Sequence, residues 1–152
     1  NLMGRVFIPT SLDCPFRSAS YHVDQLRRDT PIILVDFHAE ATSEKIAMGW
    51  FLDGQVSAVV GTHTHVQTSD ERILPEGTAY ITDVGMTGPW VSVIGVKREP
   101  AIQRFLTGLP QRFEPASGPT QLNAVLINAD RDSGNALSIK RIQIEDAAGL
   151  KG

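Results

Sequence analysis

The sequence predicts an α/β fold: a mixed sheet with flanking helices and a C-terminal β-hairpin. Three observations carry that expectation. Two short, nearly continuous apolar runs, Ile32-Ile33-Leu34-Val35-Asp36-Phe37 and Ser57-Ala58-Val59-Val60-Gly61, suit strands buried on both faces of a helix-covered sheet. The segment between them has the apolar period of a helix, which makes a βαβ unit. Beyond residue 120 the pattern changes to two β-rich stretches, Leu122 to Ile127 and Leu137 to Ile144, joined by Asp130-Arg131-Asp132-Ser133-Gly134-Asn135. That arrangement is the signature of a hairpin.

Taken in order, the first helix is expected from about Ser18 to Arg28, where Ala19, Val23 and Leu26 form a thin stripe and His22 lies mid-helix at or near the surface. After the first strand, Thr42 or Ser43 is placed to cap a second helix. Its apolar positions Ile46, Ala47, Trp50 and Phe51 are expected to face the core, with Gly54 as terminator. A strand over Ala79-Tyr80-Ile81-Thr82 and a helix from about Glu99 to Leu109 follow. Gln111 to Thr120, with Pro115, Gly118 and Pro119, reads as a surface loop rather than a domain boundary. Residues 1–146 are thus expected to be one domain and Ala147 to Gly152 a frayed tail.

Composition narrows the function. The 152 residues are 41% hydrophobic and 20% charged, the range of an ordinary globular domain. A net charge of −3 speaks against general nucleic-acid binding. No apolar run approaches a membrane span, and the N-terminal residues lack the basic and apolar regions of a signal peptide, so a cytoplasmic location without membrane contact is the expectation. The one cysteine, Cys14, has no partner for a disulfide or a thiolate metal site and reads as a buried thiol. The chain starts at Asn1 and enters the apolar stretch Val6-Phe7-Ile8-Pro9 within a few residues, as a piece of a longer polypeptide would.

The chemistry concentrates in the histidines. His38 follows the first strand, and His63 and His65 follow the second in Gly61-Thr62-His63-Thr64-His65-Val66-Gln67. Loops leaving the carboxyl ends of neighbouring strands converge on one crevice in an open α/β sheet. Two histidines separated by one residue can reach one ion or two adjacent ones. A lone histidine is more often a hydrogen-bonded structural residue, but three at two strand ends are poor core material, and metal binding is the better reading. Imidazoles without thiolates suit manganese, iron or zinc when carboxylates complete the shell. Glu40 is a candidate for that role, or for capping the following helix, or for orienting an imidazole. Asp36 and Asp83 also lie at strand ends, and Asp83 has a plain alternative as a turn-forming residue.

Three segments then become recognisable together: Asp36-Phe37-His38-Ala39-Glu40-Ala41-Thr42-Ser43-Glu44-Lys45, Gly61-Thr62-His63-Thr64-His65-Val66-Gln67-Thr68 and Gly77-Thr78-Ala79-Tyr80-Ile81-Thr82-Asp83-Val84-Gly85-Met86-Thr87-Gly88-Pro89. The chain resembles the C-terminal half of the YmdB-like branch of the calcineurin-like metallophosphoesterases, and Asn1-Leu2-Met3-Gly4-Arg5 and the closing hairpin fall within the likeness. The resemblance implies part of an αββα sandwich and a dinuclear centre of two divalent ions, manganese or iron, with zinc as an alternative. It implies that His38 and His63 bind one ion and His65 the other, with a Glu absent from this sequence, or its equivalent, bridging both; Glu40 and Asp83, read from their own positions, remain candidates for outer support. It also implies hydrolysis of a small phosphodiester, with 2′,3′-cyclic nucleotides a substrate class. The family's metal-binding Asp, bridging Glu with its following Asn, and Asn-His pair have no counterparts in this sequence, so no residue here is assigned a catalytic role. Trp90-Val91 stands where relatives carry a polar residue.

Other readings remain open at this point. His-x-His also marks amidohydrolase-type metal hydrolases, but there it opens an eight-stranded barrel that this length cannot supply. The capsule-synthesis branch of the same fold carries Pro where this chain has Thr64. A non-catalytic scaffold or interaction domain is the remaining alternative. Half of a sandwich leaves apolar surface uncovered, so self-association into a homo-oligomer is expected.

Overall fold

A computed structural model describes residues 1–9 and 11–146; the tail predicted over Ala147 to Gly152 lies outside the described residues. The elements run β1 (Leu2–Met3), α1 (Pro15–Leu26), β2 (Leu34–His38), α2 (Thr42–Phe51), β3 (Ala58–Thr62), β4 (Arg72–Ile73), β5 (Ala79–Ile81), β6 (Gly88–Pro89), α3 (Arg98–Thr107), β7 (Thr120–Ala129) and β8 (Ala136–Glu145). The chain divides into two compact units. The first comprises Asn1–Gly85 and Val125–Arg141; the second takes Met86–Ala124 and the described part of Ile142–Gly152.

In the first unit a five-stranded mixed sheet has the order β1-β2-β3-β5-β4. β1, β2, β3 and β5 pair in parallel, and β4 pairs antiparallel with β5. Ala58, Val59, Val60 and Gly61 of β3 are all buried, as expected for a central strand covered on both faces. β2 departs from that expectation. Val35 and Phe37 are buried while Leu34 is 61% exposed, so the strand alternates and only one of its faces is covered. The covered face packs Phe37, Val35, Val59 and Tyr80 against Met48 of α2, Leu52 at its C-cap, and Ala19 and Val23 of α1. Burying each of the larger side chains stabilises the fold by about 1.5–3 kcal/mol.

α2 turns a different face inward from the one its apolar spacing predicts. Ile46, Trp50 and Phe51 are exposed, and the buried positions are Glu44, Lys45, Met48 and Gly49. Two charged side chains can take core positions because partners meet them there. Glu44 accepts the N–H groups of Arg5 (3.0 Å) and Val6 (3.2 Å), tying the loop after β1 to the helix. Lys45 donates to Asp83 at 2.8 Å. Gly49 is needed because Tyr80 packs where its side chain would be. The helix begins at Thr42 with Ala41 as N-cap and no side-chain cap, and it stops at Phe51, ahead of the predicted terminator Gly54.

α1 begins at Pro15, where proline suits a first helical turn. Leu26 is 46% exposed, so the buried stripe is Ala19 and Val23. His22 is exposed, as expected, but Cys14 is only partly buried, because it is the N-cap of α1 rather than a core residue. The two-residue strands β1, β4 and β6 were beyond prediction. The turn over 130–135 joins β7 to β8, with the Asp130 N–H donating to the Asn135 carbonyl, and Ala136 packs with Ala58, Ala79, Ile127 and Ile139.

Within the second unit β6 pairs antiparallel with the start of β7, and Asn123 donates to the Met86 carbonyl at 2.8 Å. α3 ends at Thr107 on the left-handed Gly108. Lys97 and Glu114 pair across the loop that follows. The loop predicted over 111–120 lies inside this unit.

Candidate functional site

β2 and β3 run side by side in parallel register, His38 opposite Thr62, so their carboxyl ends reach the same edge of the sheet. His38 is the last residue of β2, and His63 follows β3 directly. Their rings meet edge to face, 4.8 Å between centroids, with His63 Nδ1 at 3.0 Å from His38 Nε2. Glu40 Oε2 lies 2.5 Å from His63 Nε2. Glu40 therefore contacts an imidazole and leaves the helix N-terminus to Ala41.

Hydrogen bonding fixes which nitrogen of His38 faces the site. The Thr62 hydroxyl donates to Asp36 Oδ1 at 3.1 Å, and Asn1 also donates to this carboxylate, at 2.7 Å. With its one hydrogen committed, Thr62 Oγ1 can only accept from His38 Nδ1, 3.1 Å away. His38 is thereby the Nδ1–H tautomer, and Nε2 presents a lone pair toward His63. The Asp36–Thr62–His38 relay is the kind of outer support that fixes a metal-binding imidazole.

In this arrangement a proton lies between His38 Nε2 and His63 Nδ1, and a divalent cation could take its place. An ion with bonds of about 2.1 Å can touch both nitrogens across the 3.0 Å gap at close to a right angle, as an octahedral shell requires. Two nitrogens and an adjacent carboxylate fit a divalent ion in kind. They do not make a complete site: among the described residues no group of three or more His, Cys, Asp or Glu side chains is arranged to hold a metal ion. The structure brings His38, His63 and Glu40 together, and His65 lies exposed two residues further along the same loop.

The loop itself is held in an uncommon conformation. His63 has φ 122° and His65 φ 67°, a region that costs a non-glycine residue on the order of 1–3 kcal/mol and persists only where the surroundings enforce it. Thr64, between them, donates its N–H to Asp83 Oδ2 at 2.9 Å. Asp83 is not among the hydrogen-bond partners of His38 and His63. It is buried beneath the loop, takes Lys45 at 2.8 Å, and closes its own turn by accepting the Gly85 N–H at 2.9 Å. Thr62, Glu44 and Lys45 are the residues that sequence reasoning did not single out. The signal available for Lys45 was its i, i+3, i+4 and i+7 relation to Met48, Gly49 and Leu52.

Burial works against ionising Asp83, but hydrogen bonds from Lys45 and from the Thr64 and Gly85 N–H groups outweigh it and hold the carboxyl below its ordinary value. Asp70 behaves alike: burial opposes its charge, and hydrogen bonds from Thr68 and Thr82 lower it more. As pH falls the unfolded chain takes up these protons before the folded one does. The stabilisation is therefore complete above about pH 5 and is lost as pH drops through the depressed native values, below about pH 4. The urea midpoint should be lower at about pH 3 than at about pH 5; equal midpoints at the two would contradict the assignment.

An α/β domain with imidazoles gathered at the carboxyl ends of adjacent parallel strands is laid out to bind a ligand at that edge. The chain belongs to the YmdB-like protein family, whose model matches residues 1–142. It is 57% identical over 146 residues to the 2′,3′-cyclic-nucleotide 2′-phosphodiesterase of Bacillus subtilis strain 168, covering 96% of this chain and 55% of that protein. Among solved structures it is similar to a hypothetical protein from Thermus thermophilus, at TM-score 0.87 and 44% identity, covering 95% of this chain and 55% of that one. A novel phosphatase from Mycoplasma pneumoniae matches at TM-score 0.87 and 41% identity, over 99% of this chain and 54% of that one. The chain thus spans about half the length of the relatives it matches.

Proposed function

We propose that this chain supplies part of the active site of a metal-dependent phosphodiesterase acting on 2′,3′-cyclic nucleotides through two divalent ions, manganese or iron. The observation that carries the reading is the His38 Nε2–His63 Nδ1 pair, 3.0 Å apart at adjoining strand ends. The 57% identity to a 2′,3′-cyclic-nucleotide phosphodiesterase supports the substrate class. When bound, such ions acidify a water to hydroxide near neutral pH and polarise the phosphoryl oxygens for in-line attack.

The chain's own residues do the preparatory work. Asp36 and Thr62 keep the proton of His38 on Nδ1 and its lone pair on Nε2. Glu40 orients the His63 ring through Nε2. His65, the expected ligand of the second ion, leaves the same loop. In the reaction, water adds to phosphorus, one ester P–O bond of the cyclic phosphate breaks, and the departing ribose oxygen takes a proton.

The test is hydrolysis of 2′,3′-cyclic AMP with manganese, comparing the longest natural polypeptide that carries this sequence with the present chain. We expect metal-dependent turnover from the former. The present chain should stay at the metal-only background, because three imidazoles fill a minority of the positions around two ions of octahedral preference. Turnover by the polypeptide that is independent of metal would overturn the reading.

A further inference from the structure

Lys45 and Asp83 form an ion pair at 2.8 Å with each side chain 1% exposed, in the core beneath the histidine loop. A charge pair so placed is not an efficient stabiliser, since desolvating both groups offsets their attraction, and well-packed apolar residues would serve the core as well. What an apolar pair could not do is hold Thr64. Asp83 Oδ2 accepts both the Lys45 ammonium and the Thr64 N–H, and Oδ1 accepts the Gly85 N–H. The contacts extend on both sides of the loop. The Thr68 N–H donates to the Asp83 carbonyl at 3.0 Å, the Asp83 N–H donates to Thr68 Oγ1 at 2.9 Å, and the Val84 N–H donates to the Gly61 carbonyl at 2.9 Å.

Thr64 stands between His63 and His65, both at positive φ. Backbone of that kind relaxes unless its neighbours are held. The anchor at Thr64 is charge-assisted, and such bonds are stronger than neutral ones. Its position is set by α2, because Lys45 reaches Asp83 from there. The stem of Lys45 passes Gly61 so closely that a Cβ at Gly61 would lie 2.9 Å from Lys45 Cδ. Glycine at the end of β3 is therefore part of the same device.

We propose that the buried Lys45–Asp83 pair is a positioning device that locks Thr64, and through it His63 and His65, in the conformation that binds metal. The inference rests on the metal-binding reading of the site. It makes Lys45 a residue whose loss should act on metal affinity through the loop, without touching metal or substrate.

The test uses the longest natural polypeptide carrying this sequence and the double variant K45M/D83N, which removes both charges and so leaves neither buried alone. Three quantities are read: the melting temperature, manganese affinity by titration calorimetry, and hydrogen exchange of the Thr64 amide against the amides of Tyr80 and Ile81. We expect the sheet amides to stay protected, the Thr64 amide to exchange at least about 10-fold faster, and manganese affinity to fall about 10- to 100-fold, as when outer support of a metal ligand is lost. Manganese affinity unchanged in a folded double variant overturns the proposal, whatever the exchange rate. Should the double variant not fold, Asp83→Glu replaces it, keeping the charges while moving the carboxylate off Thr64, with the same expected results. If the unaltered protein binds no manganese, the metal reading fails by itself. Exchange at Thr64 then decides the clamp, and exchange equal to that of the unaltered protein overturns it.

Discussion

Replacing His63 by alanine in the polypeptide that carries this sequence is expected to weaken manganese binding by about 10- to 100-fold or more, the loss seen when even outer support of a ligand is removed. His63 contributes one of the two nitrogens that face each other across 3.0 Å, and it is the group that Glu40 engages. Its removal leaves His38 Nε2 without the second nitrogen and leaves Glu40 without an imidazole to orient. Stability should change far less, because the His63 side chain is 32% exposed and none of its contacts lies in the apolar core. Backbone strain supplies an internal control. At φ 122° alanine is still strained while glycine is not, so His63→Gly should be the more stable of the two variants by about 1 kcal/mol with equally poor metal binding. Calorimetric titration with manganese and urea unfolding of both variants check this. Affinity within about 2-fold of the unaltered protein would remove His63 from the site, given that a lost ligand should exceed the outer-support effect.

The parts of the molecule legible in its sequence are those whose stability is local. β3 and β5 are short apolar runs flanked by polar residues, and α1 and α3 lie within three residues of the bounds expected from the sequence. β1 and β4 have two residues each and exist only through their neighbours' hydrogen bonds, so no periodicity within them could show. β2 looked like a doubly buried strand because Ile32 and Leu34 are apolar, yet these are the exposed positions of an alternating pattern. α2 misled for a related reason. Its apolar residues Ile46, Trp50 and Phe51 lie outward, while Glu44 and Lys45 lie inward against partners 38 or 39 positions away in sequence. A charged residue in a core cannot be forecast without knowing its counter-charge. The approach of His38 and His63 was legible because both stand at the carboxyl ends of adjacent strands. The groups that hold them, Thr62 and the Lys45–Asp83 pair, act through contacts that only the fold creates.

Gly61→Ala is expected to be the most destabilising single methyl that can be added to the sheet's site edge. A Cβ there would lie 1.8 Å from the Thr82 carbonyl oxygen and 2.7 Å from its carbon, and these backbone atoms cannot swing aside as a side-chain tip can. Gly61 sits in β3, which is paired with both β2 and β5, and its carbonyl accepts the Val84 N–H. The strain must therefore be relieved by moving the Thr82–Val84 segment away from β3. That movement carries Asp83 with it, while Lys45, crowded by the same methyl, remains anchored on α2. Overpacking costs about 1–3 kcal/mol by itself, and separating a buried ion pair adds to it, about 3–5 kcal/mol when a partner is lost entirely. A partial separation places the total near 3–5 kcal/mol, a large share of the 5–15 kcal/mol that keeps a typical domain folded. Urea unfolding should show a much lower midpoint with an unchanged slope, and manganese affinity should fall in whatever fraction remains folded. A loss below about 1 kcal/mol would mean that the sheet absorbs the methyl without moving Asp83, since overpacking in a rigid core is not that small. The close approach of Gly61 to Thr82 would then have no part in setting the histidine loop.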